Sequence, residues 1–105
     1  MSRRRIVIEP RALRDLNAIR RYLSGKASDV IADAMLARLY GALDRLAGAP
    51  SIGRLRKEFP GNPRSFPVRS YIIFYVPLPE KDGIVVWHVV HSARDLRRIV
   101  GRNRK

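Results

Sequence analysis

The sequence contains no cysteine, which excludes a disulfide framework, a thiolate metal site and a cysteine nucleophile. It has no apolar run approaching the roughly 18 residues that a membrane-spanning helix needs. The start, MSRRRIVIEP, is basic and then apolar for only three residues, too short for the core of a signal peptide. A soluble, unexported, cytoplasmic chain is the expectation. Acidic residues are scarce, 9 Asp+Glu against 22 Lys+Arg. The carboxylates of Asp15, Asp29, Asp33, Asp44 and Glu58 are scattered, with no recognisable acid/base pair. A glycine-rich phosphate loop and a serine-nucleophile motif are also missing. No third ligand stands at metal-binding spacing from the two histidines, so neither a metal nor a cofactor is expected.

What is present in excess is arginine, 18 of the 22 basic residues, giving a net charge of +13. The planar guanidinium fork suits phosphate and carboxylate better than a lysine point charge does. A field of this sign attracts polyanions: nucleic acid, a nucleic-acid enzyme, an acidic partner or an anionic surface. A genome rich in GC explains the choice of arginine over lysine, but not a net charge of this size. With 105 residues, 46% of them hydrophobic, residues 1–105 allow one compact domain with a thin core.

The elements are read from spacing. RRIVIEP (4–10) is a short β-branched run stopped by Pro10, which then suits the first turn of a helix. Leu13, Leu16, Ile19 and Tyr22/Leu23 recur at three to four residues, predicting an amphipathic helix that ends near Gly25. In 27–48, Ser28 caps a second helix whose stripe is Ala32, Leu36, Leu39, Leu43 and Leu46, ended by Gly48 and Pro50. Residues 49–63, with three prolines and two glycines, read as a long surface connection carrying Arg54, Arg56 and Lys57. Strands follow at 64–69, 71–77 and 83–91. Pro67 marks the first of these as an edge or a bulge, and the second reads as central and covered on both faces. Residues 92–98 read as a short helix, and 99–105 as a flexible basic tail. The order β-α-α-β-β-β-α predicts an α+β fold: a helical hairpin packed on a mostly antiparallel sheet.

Strict alternation places Val85, Trp87, Val89 and His91 on one face of the last strand, and Ile84, Val86, His88 and Val90 on the other. The histidines therefore do not pair on that strand. His88, at mid-strand, reads as a hydrogen-bonded structural histidine; His91, at the strand end, is either that or a residue reaching a cleft. Arg64 and Arg69 each have two readings, a phosphate ligand or a cation solvating the sheet edge. Tyr71 and Tyr75 share a face and read as packing residues. Asp95 fits the first turn of a helix capped by Ser92, leaving Arg94, Arg97 and Arg98 as a basic surface.

The segments ALRDLNAIRRYL, RLAGAPSIGRLRKEFPGNPRSFPVRSYIIFYV and GIVVWHVVHSARDL, in this order and spacing, closely resemble the RelE/ParE superfamily of bacterial toxins over about residues 6–97. The resemblance implies a helical hairpin on a curved antiparallel sheet and a toxin held by a cognate ParD-like antitoxin, in a complex that contacts DNA to repress its own operon. The superfamily holds two activities. ParE-like members poison DNA gyrase; RelE-like members cut mRNA on the ribosome, using basic residues and a C-terminal tyrosine or histidine. The ending H.ARD (91–95) is ParE-like, and no tyrosine follows Trp87. The leading expectation is thus a gyrase-poisoning, non-enzymatic toxin with Arg64, Arg69, Arg94, Arg97 and Arg98 facing the target. The alternative is a ribonuclease in which Arg64 holds the phosphate, Arg69 assists, His91 is the general acid, and Arg54, Arg56 and Lys57 serve the base side. A third reading is a basic nucleic-acid-binding module. Charge complementarity suits an acidic antitoxin segment ordering itself against the helical hairpin and a sheet edge.

Overall fold

The computed structural model describes residues 4–79 and 83–92. The chain runs β1 (Arg5–Ile8), α1 (Pro10–Lys26), α2 (Asp29–Gly48), a 3-10 turn (Pro50–Ile52), β2 (Arg54–Leu55), β3 (Arg64–Val68), β4 (Tyr71–Pro77) and β5 (Gly83–His91). Pro10 opens α1, where its missing N–H leaves no donor unsatisfied. Ser28 caps α2 by accepting the Ile31 N–H at 3.1 Å, and Asp29 lies in its first turn, where the helix dipole favours negative charge. An ion pair, Arg20 to Asp33 at 2.8 Å, bridges the two helices on their exposed side.

The five strands form one sheet in the order β1-β5-β4-β3-β2. β1 runs parallel to β5, from Arg5↔Gly83 to Ile8↔Val86; the other three pairings are antiparallel. Both helices lie against one face. Leu16, Leu39, Leu43 and Leu46 there enclose Ile73, Tyr75, Ile84 and Val86, all fully buried. The buried stripe of α1 is Ala12, Leu16 and Ile19, with Leu23 partly buried, while Leu13 is 45% exposed. The predicted stripe began one residue late: a 3.6-residue period from Leu16 leads back to Ala12, and Leu13 falls at the rim. Within the predicted stripe of α2, Leu36 is only partly buried.

Residues 49–63 do more than connect. They supply the 3-10 turn and the edge strand β2, and then send Phe59 beneath the opposite face of the sheet. Phe59 is 4% exposed and packs with Ile72, Phe74, Val90 and Trp87; its ring meets Phe74 edge-on at 5.2 Å. β4 is therefore covered on both faces, as its unbroken apolar run predicted. Gly61, at φ +82°, allows the return: a Cβ there would stand 2.6 Å from the Trp87 ring.

Strict alternation fails in β5. Phe74 pairs with His88 and Tyr75 with Val86, so Trp87 is an extra residue, a β-bulge. The bulge shifts every later side chain by one. Val89 joins Ile84 and Val86 against the helices, whereas Trp87 and Val90 belong to the opposite face. The predicted terminal helix, the basic tail, and Arg94, Arg97 and Arg98 lie outside the described residues.

Candidate functional site

Arg64 and Arg69 stand at opposite ends of β3. The guanidinium of Arg64 donates to the Gly53 carbonyl at 2.7 Å and to the Ser51 carbonyl at 3.3 Å. The Tyr75 hydroxyl reaches the same loop, donating to the Pro50 carbonyl at 2.6 Å and accepting the Gly53 N–H at 2.9 Å. A cation and a phenol thus satisfy the backbone groups of the turn between α2 and β2. A Cβ on Gly53 would overlap the Tyr75 hydroxyl, at 2.2 Å, so only glycine admits this close approach. Burial raises the Tyr75 pKa above its ordinary 10.0, opposed by the Gly53 hydrogen bond and the charge of Arg64. Arg56 is similarly engaged, to Ser65 Oγ at 2.8 Å and Glu58 at 3.0 Å. The carboxyl of exposed Glu58 titrates below its ordinary range because its own backbone N–H and then Arg56 donate to it.

Arg69 occupies the β3–β4 turn at φ +56°, a left-handed conformation that favours glycine or asparagine. His91 lies near this end of the sheet. It pairs with Tyr71, which pairs with Val68, the residue before Arg69. The His91 ring meets Tyr71 edge-on at 5.5 Å. Arg64 instead pairs with Tyr75, four rows along β4, so the backbones at Arg64 and His91 are separated by about 13 Å along the strands and about 10 Å across them. The structure brings His91 toward Arg69 and leaves Arg64 with the loop.

One placement beside His91 had no signal in the sequence. β1 ends opposite Val86, so β5 continues with one side unpaired. Asp15, projecting from α1, accepts the Val89 N–H there at 3.0 Å and stands 3.8 Å from His88 Nδ1. Asp15, Tyr22, Tyr71 and His91 line a cavity of about 270 Å³. The contact spans 74 positions, beyond the reach of local spacing. Among the described residues no cluster of three His, Asp or Glu side chains is placed to hold a metal, and no helix is long and apolar enough to cross a membrane.

Residues 6–96 match the family model described as the ParE toxin of the type II toxin-antitoxin system parDE. The chain belongs to the ParE toxin family. Its fold is shared with a chain from the solved structure titled "Chromosomal ParDE TA system from P. aeruginosa", at 16% identity and a TM-score of 0.68, over 82% of this chain and 92% of that one. No curated protein matches. Family membership agrees with the resemblance carried by the segments at 12–23, 45–76 and 83–96, and brings with it the toxin role in a two-component system whose other member is an antitoxin.

Proposed function

We propose that this ParE-family chain arrests growth in the cytoplasm by inhibiting DNA gyrase through protein contacts, and that a ParD-like antitoxin neutralises it. The observation that carries the choice of gyrase over mRNA is the placement of Arg64. The nuclease reading needs that guanidinium to hold the phosphate whose leaving oxygen His91 protonates, yet Arg64 turns its Nη1 to two backbone carbonyls of the loop and is paired four rows along β4 from His91. A general acid must come within hydrogen-bond reach of its leaving group. The basic surface, net +13, then serves association: Arg69 on the described fold, with Arg94, Arg97 and Arg98 beyond it, faces the target and steers the encounter. Contact with operator DNA is assigned to the toxin–antitoxin complex.

The test is DNA supercoiling by purified gyrase with increasing toxin. Loss of supercoiling with accumulation of cleaved DNA is the expected result. Unchanged supercoiling, together with transcripts cut in cells and spared by His91→Ala, overturns the proposal in favour of the ribonuclease.

A further inference from the structure

The cavity of about 270 Å³ beside the end of β5 differs in composition from the rest of the chain. On a molecule of net charge +13, it is lined by a carboxylate, Asp15, and by no arginine or lysine among the described residues. Three rings accompany the carboxylate. Tyr71, 4% exposed, and His91 meet at 5.5 Å with their planes 86° apart, and so form a corner. Tyr22, 44% exposed, borders solvent. Ile19 and Val89, both buried, supply an apolar floor. The Oδ2 atom of Asp15 accepts the Val89 N–H, while its Oδ1 accepts no hydrogen bond among the described residues. A cation already rests on one of the rings: Lys26 Nζ lies 5.7 Å from the Tyr22 centroid.

From this arrangement we infer that the cavity is a binding site for a small organic cation, a guanidinium or ammonium group on a short apolar stem. Charge selects the sign. A carboxylate with one oxygen held by its backbone donor and the other open draws a donor that carries positive charge. The ring faces add to that attraction, because the aromatic quadrupole is negative above the plane. The same carboxylate repels phosphates and nucleotides, although the chain as a whole attracts them. Size selects the rest. The cavity falls short of the roughly 300–1,000 Å³ that drug-sized ligands occupy, so it suits one cationic head with a few methylenes laid on Ile19 and Val89. The positive field of the whole chain opposes a cation, which keeps the affinity modest. Position gives the site a consequence. Asp15 on α1 closes the β5 backbone where β1 has run out, so an occupant braces α1 against the end of that strand. Binding here is independent of which target the toxin meets.

The experiment titrates the full chain with n-butylguanidinium at fixed ionic strength and follows the amide resonance of Val89. Saturation with a dissociation constant on the order of 1 mM is expected. Butylurea, of nearly the same shape but uncharged, and butyl phosphate should each bind at least about tenfold more weakly. Asp15→Asn keeps a carbonyl oxygen for the Val89 N–H and removes the charge, so affinity should fall about tenfold with the fold retained. Tyr22→Leu should lower it about three- to tenfold, whereas Tyr22→Phe, which keeps the ring, should stay within about twofold. Asp33→Asn, at an exposed carboxylate outside the cavity, should change little. Equal binding of butylurea overturns the inference and leaves the cavity an apolar hole. Unchanged affinity in Asp15→Asn or in Tyr22→Leu overturns it too, as does an equal loss from Asp33→Asn or a Val89 resonance that never saturates. Should Asp15→Asn fail to fold, the two Tyr22 variants decide the matter between them.

Discussion

Tyr75 and Arg64 sit opposite each other on β4 and β3 and close the same loop from inside. Tyr75→Phe removes a hydroxyl that both donates to Pro50 and accepts from Gly53, leaving two backbone groups unpaired. The expected loss is about 1–3 kcal/mol of unfolding free energy, measured by urea titration. The same variant has a pH signature. Because the folded-state pKa of Tyr75 is raised, the unfolded chain releases this proton first. The stability is therefore complete below pH 10 and declines as pH rises above it, toward and through the raised folded-state value. Tyr75→Phe should lack that share of the alkaline decline. Arg69 makes the opposite case. Arg69→Gly should leave stability unchanged or raise it by up to about 1 kcal/mol, because a non-glycine residue at φ +56° is strained by roughly that amount. A clear loss of stability would show instead that the Arg69 side chain holds the turn.

At the scale of elements, what was legible followed from local periodicity, and what was not came from partners distant in the chain. The helix at 27–48, with its Ser28 cap and leucine stripe, needed only capping chemistry and a 3.6-residue period. β4 was legible as doubly covered, although the cover itself, Phe59 in a proline-rich stretch, was not: one phenylalanine among turn residues has no period. The bulge at Trp87 is set by how β5 meets β4, so alternation held to Trp87 and inverted from His88 onward. Asp15 reads in the sequence as an ordinary helix-surface acid, yet it closes the β5 backbone where β1 runs out. Asp15→Ala should cost about 1–2 kcal/mol by orphaning the Val89 N–H, and amide exchange at Val89 should quicken more than elsewhere in β5. Gly61→Ala should cost more, about 2 kcal/mol or above, since it combines a positive φ with a Cβ against the Trp87 ring. A shift in tryptophan fluorescence should accompany that loss, as Trp87 is the chain's one tryptophan.

For the whole molecule, the two faces of the sheet are unequal. The helix side carries the main core, and the opposite side a cluster of four buried residues with Trp87 against it. Leu43→Ala, in the main core, should cost about 2–5 kcal/mol and abolish toxicity in cells simply by depleting folded protein. Charge also acts at this scale. A net +13 makes encounter with any acidic partner faster at low salt, so the association rate with the antitoxin should fall steeply as ionic strength rises, with dissociation changing less. Rates insensitive to salt would remove the argument that the arginine excess serves association.

The parallel pairing of β1 with β5 also sets a clock on synthesis. The partner of the first strand is the last of the described strands to be made: residues 5–8 have no partner until residues 83–86 exist. The core waits with them, because Ile84 and Val86 are among its fully buried members. A ribosome that releases the chain before residue 83 therefore yields a helical hairpin and a partial sheet with an open seam, which cannot present the finished surface.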